Sequence, residues 1–127
     1  RRAHEAAEAG AERLVVWGSG APLREMMYVD DLADACVFLL ERYSGATFLN
    51  AGSGEEFAIA DLARKAAAVA GFAGEIVFDA SKPDGTPRKR LDTSAPAALG
   101  WRPKTPFDEG LARTYAWFRA NRATLRG

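Results

Sequence analysis

Val16-Trp17-Gly18-Ser19-Gly20-Ala21-Pro22-Leu23-Arg24-Glu25, followed by Tyr28-Val29-Asp30-Asp31-Leu32-Ala33, is the stretch on which the reading of this chain turns. Leu14-Val15-Val16-Trp17 reads as a short strand, and the glycines with Pro22 after it as a turn-forming loop. Tyr28-Val29 leads into Asp30 and Asp31, placed to cap a helix that carries Leu32, Ala35, Cys36, Leu39 and Leu40 on one face. Offsets of three and four residues are the helical period. Strand, loop and helix in that order, and again downstream, predict an α/β arrangement.

Working outward, Arg1-Arg2-Ala3-His4-Glu5-Ala6-Ala7-Glu8-Ala9 reads as the middle of a helix, with neither Met nor a capping residue. That opening predicts a chain cut from something longer. Downstream, Ser44-Gly45 ends the first long helix, and Thr47-Phe48-Leu49-Asn50 is expected to form a strand closed by Gly52-Ser53-Gly54. A helix is predicted from about Ala60 to Ala70, with Gly71 as a left-handed terminator and Ala58 where Ser or Thr would cap. Glu75-Ile76-Val77-Phe78 follows as a strand. Residues 79–90 read as a loop that concentrates positive charge in Lys82, Arg88, Lys89 and Arg90. Ser94 is placed to cap a short turn stopped by Gly100 before Trp101. The last helix is predicted to start with Thr105 as cap, Pro106 at the first helical position and Asp108 completing a box. It buries Phe107, Leu111, Tyr115 and Phe118. No repeat or interdomain linker divides the chain.

Bulk properties bound the function. The 127 residues carry 17 basic and 17 acidic side chains, so no general field favours nucleic acid or an anionic membrane. A phosphate ligand would have to be held by a few placed cations. The single cysteine, Cys36, allows no internal disulfide, makes a zinc site a poor expectation, and reads as a buried thiol in an apolar pattern. No apolar run reaches membrane-spanning length and no signal sequence is recognisable, so the cytoplasm is the expected compartment.

A catalytic set does not assemble from these residues. The one histidine, His4, sits on the charged opening helix and is expected to face solvent, away from acid–base work. Asp30 and Asp31 are neighbours that do not share a helix face, and a helix start attracts acids electrostatically. Gly18-Ser19-Gly20 and Gly52-Ser53-Gly54 could each approach a phosphate with backbone amides, yet neither matches a dinucleotide fingerprint, and ordinary turns explain both. More informative are Trp17, Arg24 and the loop Lys82-Pro83-Asp84-Gly85-Thr86-Pro87-Arg88-Lys89. A tryptophan at a strand end offers a flat face to a base or sugar, and a guanidinium fits a pyrophosphate with its fork of donors. Asp84 on a pinned loop can accept from hydroxyls. Each has a plain alternative: Trp17 in the core, Arg24 in a surface salt bridge, the loop as a solvated turn.

The same residues carry a resemblance. The opening run resembles the extended short-chain dehydrogenase/reductases of the NAD-dependent epimerase/dehydratase family, which act on nucleotide sugars. The loop Asp79-Ala80-Ser81-Lys82-Pro83-Asp84-Gly85-Thr86-Pro87-Arg88-Lys89 is similar to the signature of the GDP-L-fucose synthases. So are Leu99-Gly100-Trp101 and the segment from Gly110-Leu111 to Tyr115-Ala116-Trp117-Phe118. The resemblance covers essentially the whole chain. Ala58 and Pro96 depart from the usual pattern without touching the candidate site.

The resemblance implies that residues 1–127 are one carboxyl-terminal, GDP-sugar-binding domain, with a strand and helix that normally join an absent amino-terminal Rossmann sheet. It implies an NADPH-dependent enzyme that epimerises GDP-4-keto-6-deoxy-mannose at two carbons and reduces it to GDP-L-fucose. Trp17, Arg24 and Asp84 match substrate-contacting positions, whereas no contact is implied for Arg88 or Lys89. The NADPH fingerprint and the catalytic serine, tyrosine, lysine, cysteine and histidine would lie upstream, leaving this chain inactive alone and without cofactor. With that sheet absent, the apolar face around Leu32, Leu39, Phe48 and Leu49 is expected to be covered by another copy of the chain or rearranged. Another nucleotide-sugar epimerase or dehydratase, and a noncatalytic interaction module, are the competing readings.

Overall fold

The structure is a computed structural model and describes residues 1–125. Among these residues, two small sheets share five α-helices. Strand β1 (Arg13–Trp17) pairs in parallel with β4 (Glu75–Asp79), in register from Arg13 opposite Glu75 to Trp17 opposite Asp79. A three-stranded sheet places β2 (Leu23–Glu25) between β3 (Glu56–Ala58), antiparallel to it, and β5 (Arg88–Lys89), parallel to it. Helices α1 (Arg2–Glu8), α3 (Ile59–Ala70) and α5 (Phe107–Asn121) pack with α3 in the middle. The core lies beneath them: Leu14 of β1, Ala67 of α3 and Phe72 are buried, ringed by Ala3, Ala6, Ala7, Ala11 and Ile76. The small side chains of α1 let its axis approach β1 and α3 closely. Gly71 closes α3 at φ 72°, and its amide bonds back to Ala68 O. On α5, Phe107, Leu111, Tyr115 and Phe118 all turn inward, as the period predicts.

Several local expectations change. Helix α2 (Val29–Arg42) exists, but its inward face is not the apolar one. Asp31 and Ala35 are buried, while Leu32, Leu40 and Cys36 are exposed. The reason is hydrogen bonding. Asp31 accepts from the amides of Lys104 and Thr105 and from the Thr105 hydroxyl, at 3.3, 2.9 and 3.1 Å. Asp34 accepts from Trp101 Nε1 at 2.8 Å. These contacts turn α2 toward the segment 101–105 and its apolar stripe outward. Cys36 is therefore not a buried thiol, and the predicted apolar face is neither covered nor rearranged within the chain.

Thr47–Asn50 is not a strand. Its backbone finds no neighbouring strand among the described residues, and Tyr43 Oη donates to Thr47 O at 2.9 Å instead. The loop 79–90 ends in the two-residue strand β5, because Leu23 N donates to Pro87 O and the pairing continues from there. Ser94 opens α4 (Ser94–Ala98) rather than capping it, and its amide donates to Asp92 Oδ1 at 2.9 Å. No side-chain cap forms on α5: Thr105 donates to Asp31, and Asp108 pairs with Lys65 Nζ at 2.6 Å. Lys65 thus ties α3 to α5 while its ammonium lies 5.8 and 5.7 Å above the rings of Phe57 and Phe107.

His4 is buried, contrary to the solvent-facing expectation. Its Nδ1 is 2.9 Å from Tyr115 Oη, its Nε2 2.9 Å from Arg122 Nη1, and its ring packs edge-on against Phe118. Glu8 Oε1 also stands 3.3 Å from Nε2. Nδ1 ties α1 to α5 through Tyr115, and Nε2 ties it to Arg122 just after α5.

Candidate functional site

Strand β1 delivers Trp17 to its carboxyl end, where the indole is 67% exposed, and this excludes a core role for it. The chain then turns at Gly18, whose φ of 87° suits glycine, and Ser19 meets the loop after β4. Asp84 Oδ1 accepts from Ser19 N at 2.6 Å and Oδ2 from Ser19 Oγ at 2.7 Å. The Ser19 hydroxyl also accepts from Ala21 N at 3.1 Å, so this one side chain joins both loops. A Cβ on Gly18 would lie 2.4 Å from Asp84 Oδ1, so the clamp requires glycine there. The hydroxyl of Ser19, and then its amide, hold the Asp84 carboxyl below its ordinary range.

Arg24 enters from the neighbouring sheet, in the middle of β2, opposite Phe57 of β3 and Lys89 of β5. It is half-buried, and its Nη1 donates to Leu23 O at 2.6 Å rather than to a carboxylate. Its other terminal nitrogen lies 4.0 Å from where a Cβ on Gly85 would stand, which puts the guanidinium beside the Asp84 turn. Trp17, two residues before Ser19, and Arg24, beside the Gly85 turn, thus flank the Ser19–Asp84 clamp.

Both glycine loops already hold an anion of the protein's own. Ser19 N serves Asp84. In the second loop Gly54 N donates to Glu25 Oε1 at 2.7 Å, and a Cβ on Gly52 would lie 2.2 Å from that oxygen. Glu25 Oε2 accepts from Leu91 N at 2.8 Å, which fastens the 52–54 loop and the residues after β5 to β2. Sequence reasoning missed Ser19 and Glu25 as joints. The signal available was a polar residue beside each glycine loop, without an indication of the acceptor or donor it would meet.

The basic loop is also partly committed. Arg88 grips Glu56 with Nε and Nη2 at 2.8 and 2.5 Å, and Arg90 approaches the same carboxylate at 3.9 Å. These arginines keep the Glu56 carboxyl below its ordinary range, Arg88 foremost. Lys82 has no carboxylate partner among the described residues, and its ammonium lies 5.8 Å above the Trp17 ring. A cleft of about 890 Å³ is lined by Arg88, Arg90, Asp92 and Arg102 among others, and not by Trp17, Arg24 or Asp84. The candidate site is therefore an open surface, one wall rather than a cavity.

A dinucleotide does not fit this arrangement. The cradle for its pyrophosphate needs a glycine turn running from a strand into a helix N-terminus. Here the turn after β1 runs into β2, and its Ser19 amide is taken by Asp84.

The model of the NAD dependent epimerase/dehydratase family matches residues 1–60. GDP-L-fucose synthase 1 of Arabidopsis thaliana is 56% identical over 121 residues, which is 95% of this chain and 38% of that protein. Over residues 1–60 this chain is similar to the NAD-dependent epimerase/dehydratase family. GDP-L-fucose synthase of Escherichia coli K12 is 43% identical, over all of this chain and 42% of its own length. The solved structure of a GDP-L-fucose synthetase from Naegleria fowleri bound to NADP superposes with a TM-score of 0.92 at 29% identity, over 99% of this chain and 40% of that one. The chain thus spans about two fifths of the length of the relatives it matches. No helix among the described residues is long and apolar enough to cross a membrane.

Proposed function

We propose that this chain is the GDP-sugar-recognising domain of a GDP-L-fucose synthase, an NADPH-dependent epimerase/reductase of the cytoplasm that acts on GDP-4-keto-6-deoxy-mannose. The observation that carries the reading is the placement of the exposed Trp17 indole and of Arg24 on either side of the Ser19–Asp84 clamp, in a chain 56% identical to such an enzyme. In this role the indole stacks on a flat face of the ligand and Arg24 offers its fork to the diphosphate. Asp84 keeps free lone pairs on both oxygens for ligand hydroxyls while Ser19 fixes its direction.

Hydride transfer and acid–base catalysis fall to residues outside this chain. His4, its only histidine, is committed to Tyr115 and Arg122. NADPH supplies the hydride when bound in the full-length enzyme, and its site is formed elsewhere. The isolated chain forms a homo-oligomer in which a second copy covers the outward stripe of α2, the surface that the Rossmann domain covers in the full-length enzyme.

The test compares ligands on the full-length protein by calorimetry. GDP-sugars should bind at least about ten-fold more tightly than UDP-sugars, the factor that one well-placed hydrogen bond supplies. Equal or reversed preference would show a site for another nucleotide sugar. No heat from either would favour a noncatalytic interaction module, and turnover by residues 1–127 alone would contradict the division of labour.

A further inference from the structure

Between Asp79 and Asp84 the loop is pinned at both ends. Asp79 O accepts from Gly18 N at 2.9 Å and from Lys82 N at 3.1 Å, and Asp79 Oδ1 accepts from Ser81 N at 3.0 Å. At the other end the Asp84 carboxylate is held by Ser19. Lys82 therefore has little backbone freedom, and its side chain crosses the exposed Trp17 ring with the ammonium 5.8 Å from the centroid. Arg88 and Arg90 of the same basic loop are directed to Glu56, whereas Lys82 meets no carboxylate among the described residues. An ammonium held over an exposed indole gains only modest cation–π attraction and keeps its full charge for a third party.

We propose that Lys82 is a specificity-determining residue of the Trp17 site: its ammonium contacts the negatively charged diphosphate of a ligand whose planar base or sugar lies on the indole. This rests on the nucleotide-sugar reading above. Without ligand, Lys82 covers the ring face. A stacking group displaces it along its flexible stem, and the ammonium then meets the charge that arrives with that group. The ring alone would accept any flat ligand, and Lys82 adds selection for one that carries phosphate.

The experiment measures GDP and guanosine binding to the full-length protein, by calorimetry and by competition, with Lys82→Ala, Lys82→Arg and Trp17→Ala. Lys82 is exposed, so its replacement leaves the fold intact, and thermal denaturation checks this. Lys82→Ala should weaken GDP about ten-fold, flatten the salt dependence of GDP binding, and leave guanosine unchanged or tighter. Lys82→Arg should restore most of the loss. Equal effects on both ligands, or none on GDP while Trp17→Ala abolishes binding, would overturn the role of Lys82 alone. Undiminished GDP binding in Trp17→Ala would overturn both this role and the reading beneath it.

Discussion

The carboxylate of Asp84 takes both hydrogen bonds that Ser19 can give, and those bonds favour its ionised form. Its pKa is lowered in the folded chain. The stabilisation is therefore present above the ordinary carboxylate range and is lost as pH falls through the depressed folded value. Acid titration of the Asp84 carboxyl by NMR should give a midpoint below that of an exposed aspartate. Asp84→Asn should remove that transition and loosen the 82–86 loop, because an amide nitrogen cannot accept from the Ser19 hydroxyl. A midpoint in the usual range would mean that the clamp does not form in solution. At this scale the sequence was informative about side-chain type and silent about pairing. Trp17, Arg24 and Asp84 stood out by side-chain type, and their assignment to a nucleotide sugar came from the family resemblance. That Ser19 would hold Asp84, and Glu25 the second glycine loop, depends on contacts between residues 65 and 29 positions apart.

Elements followed their period more faithfully than their caps. α3 and α5 lie where apolar spacing put them, because burying Ala67 and partly burying Leu111 and Tyr115 is worth more than any cap. The caps did not follow, since each polar group had a better partner in space: Thr105 with Asp31, Asp108 with Lys65, Ser94 N with Asp92. Asp31→Ala should accordingly destabilise the chain by about 1–3 kcal/mol in chemical denaturation, since two amides and a hydroxyl lose their acceptor. The exposed neighbour Asp30→Ala should cost about 0.5 kcal/mol or less, and equal losses would refute the assignment. Gly71→Ala should cost about 1–2 kcal/mol, the strain of a Cβ at φ 72°, read as a lowered denaturation midpoint.

Across the whole molecule, the outward stripe of α2 is the feature that a single copy leaves unexplained. Val29, Leu32, Val37 and Leu40 are 64, 44, 57 and 84% exposed, and Phe48 beside them in sequence reaches 89%. Periodicity placed Leu32 and Leu40 on one apolar face, which was expected to be covered by another copy of the chain or rearranged. The side on which a helix packs was settled by Asp31, Asp34 and Trp101, whose pairing no spacing encodes. We expect the isolated chain to associate through this surface, and Leu40→Glu to shift it toward monomer in light scattering without lowering its stability. A clean wild-type monomer would contradict that expectation.

The division between grip and chemistry is tested by steady-state kinetics of the full-length protein carrying Trp17→Ala and Arg24→Ala together. With recognition seated in this chain and hydride transfer outside it, KM for the GDP-sugar should rise about ten-fold or more while kcat stays within a few-fold. An unchanged KM with a collapsed kcat would contradict the account, because these residues would then act on the reacting atoms and not on the nucleotide.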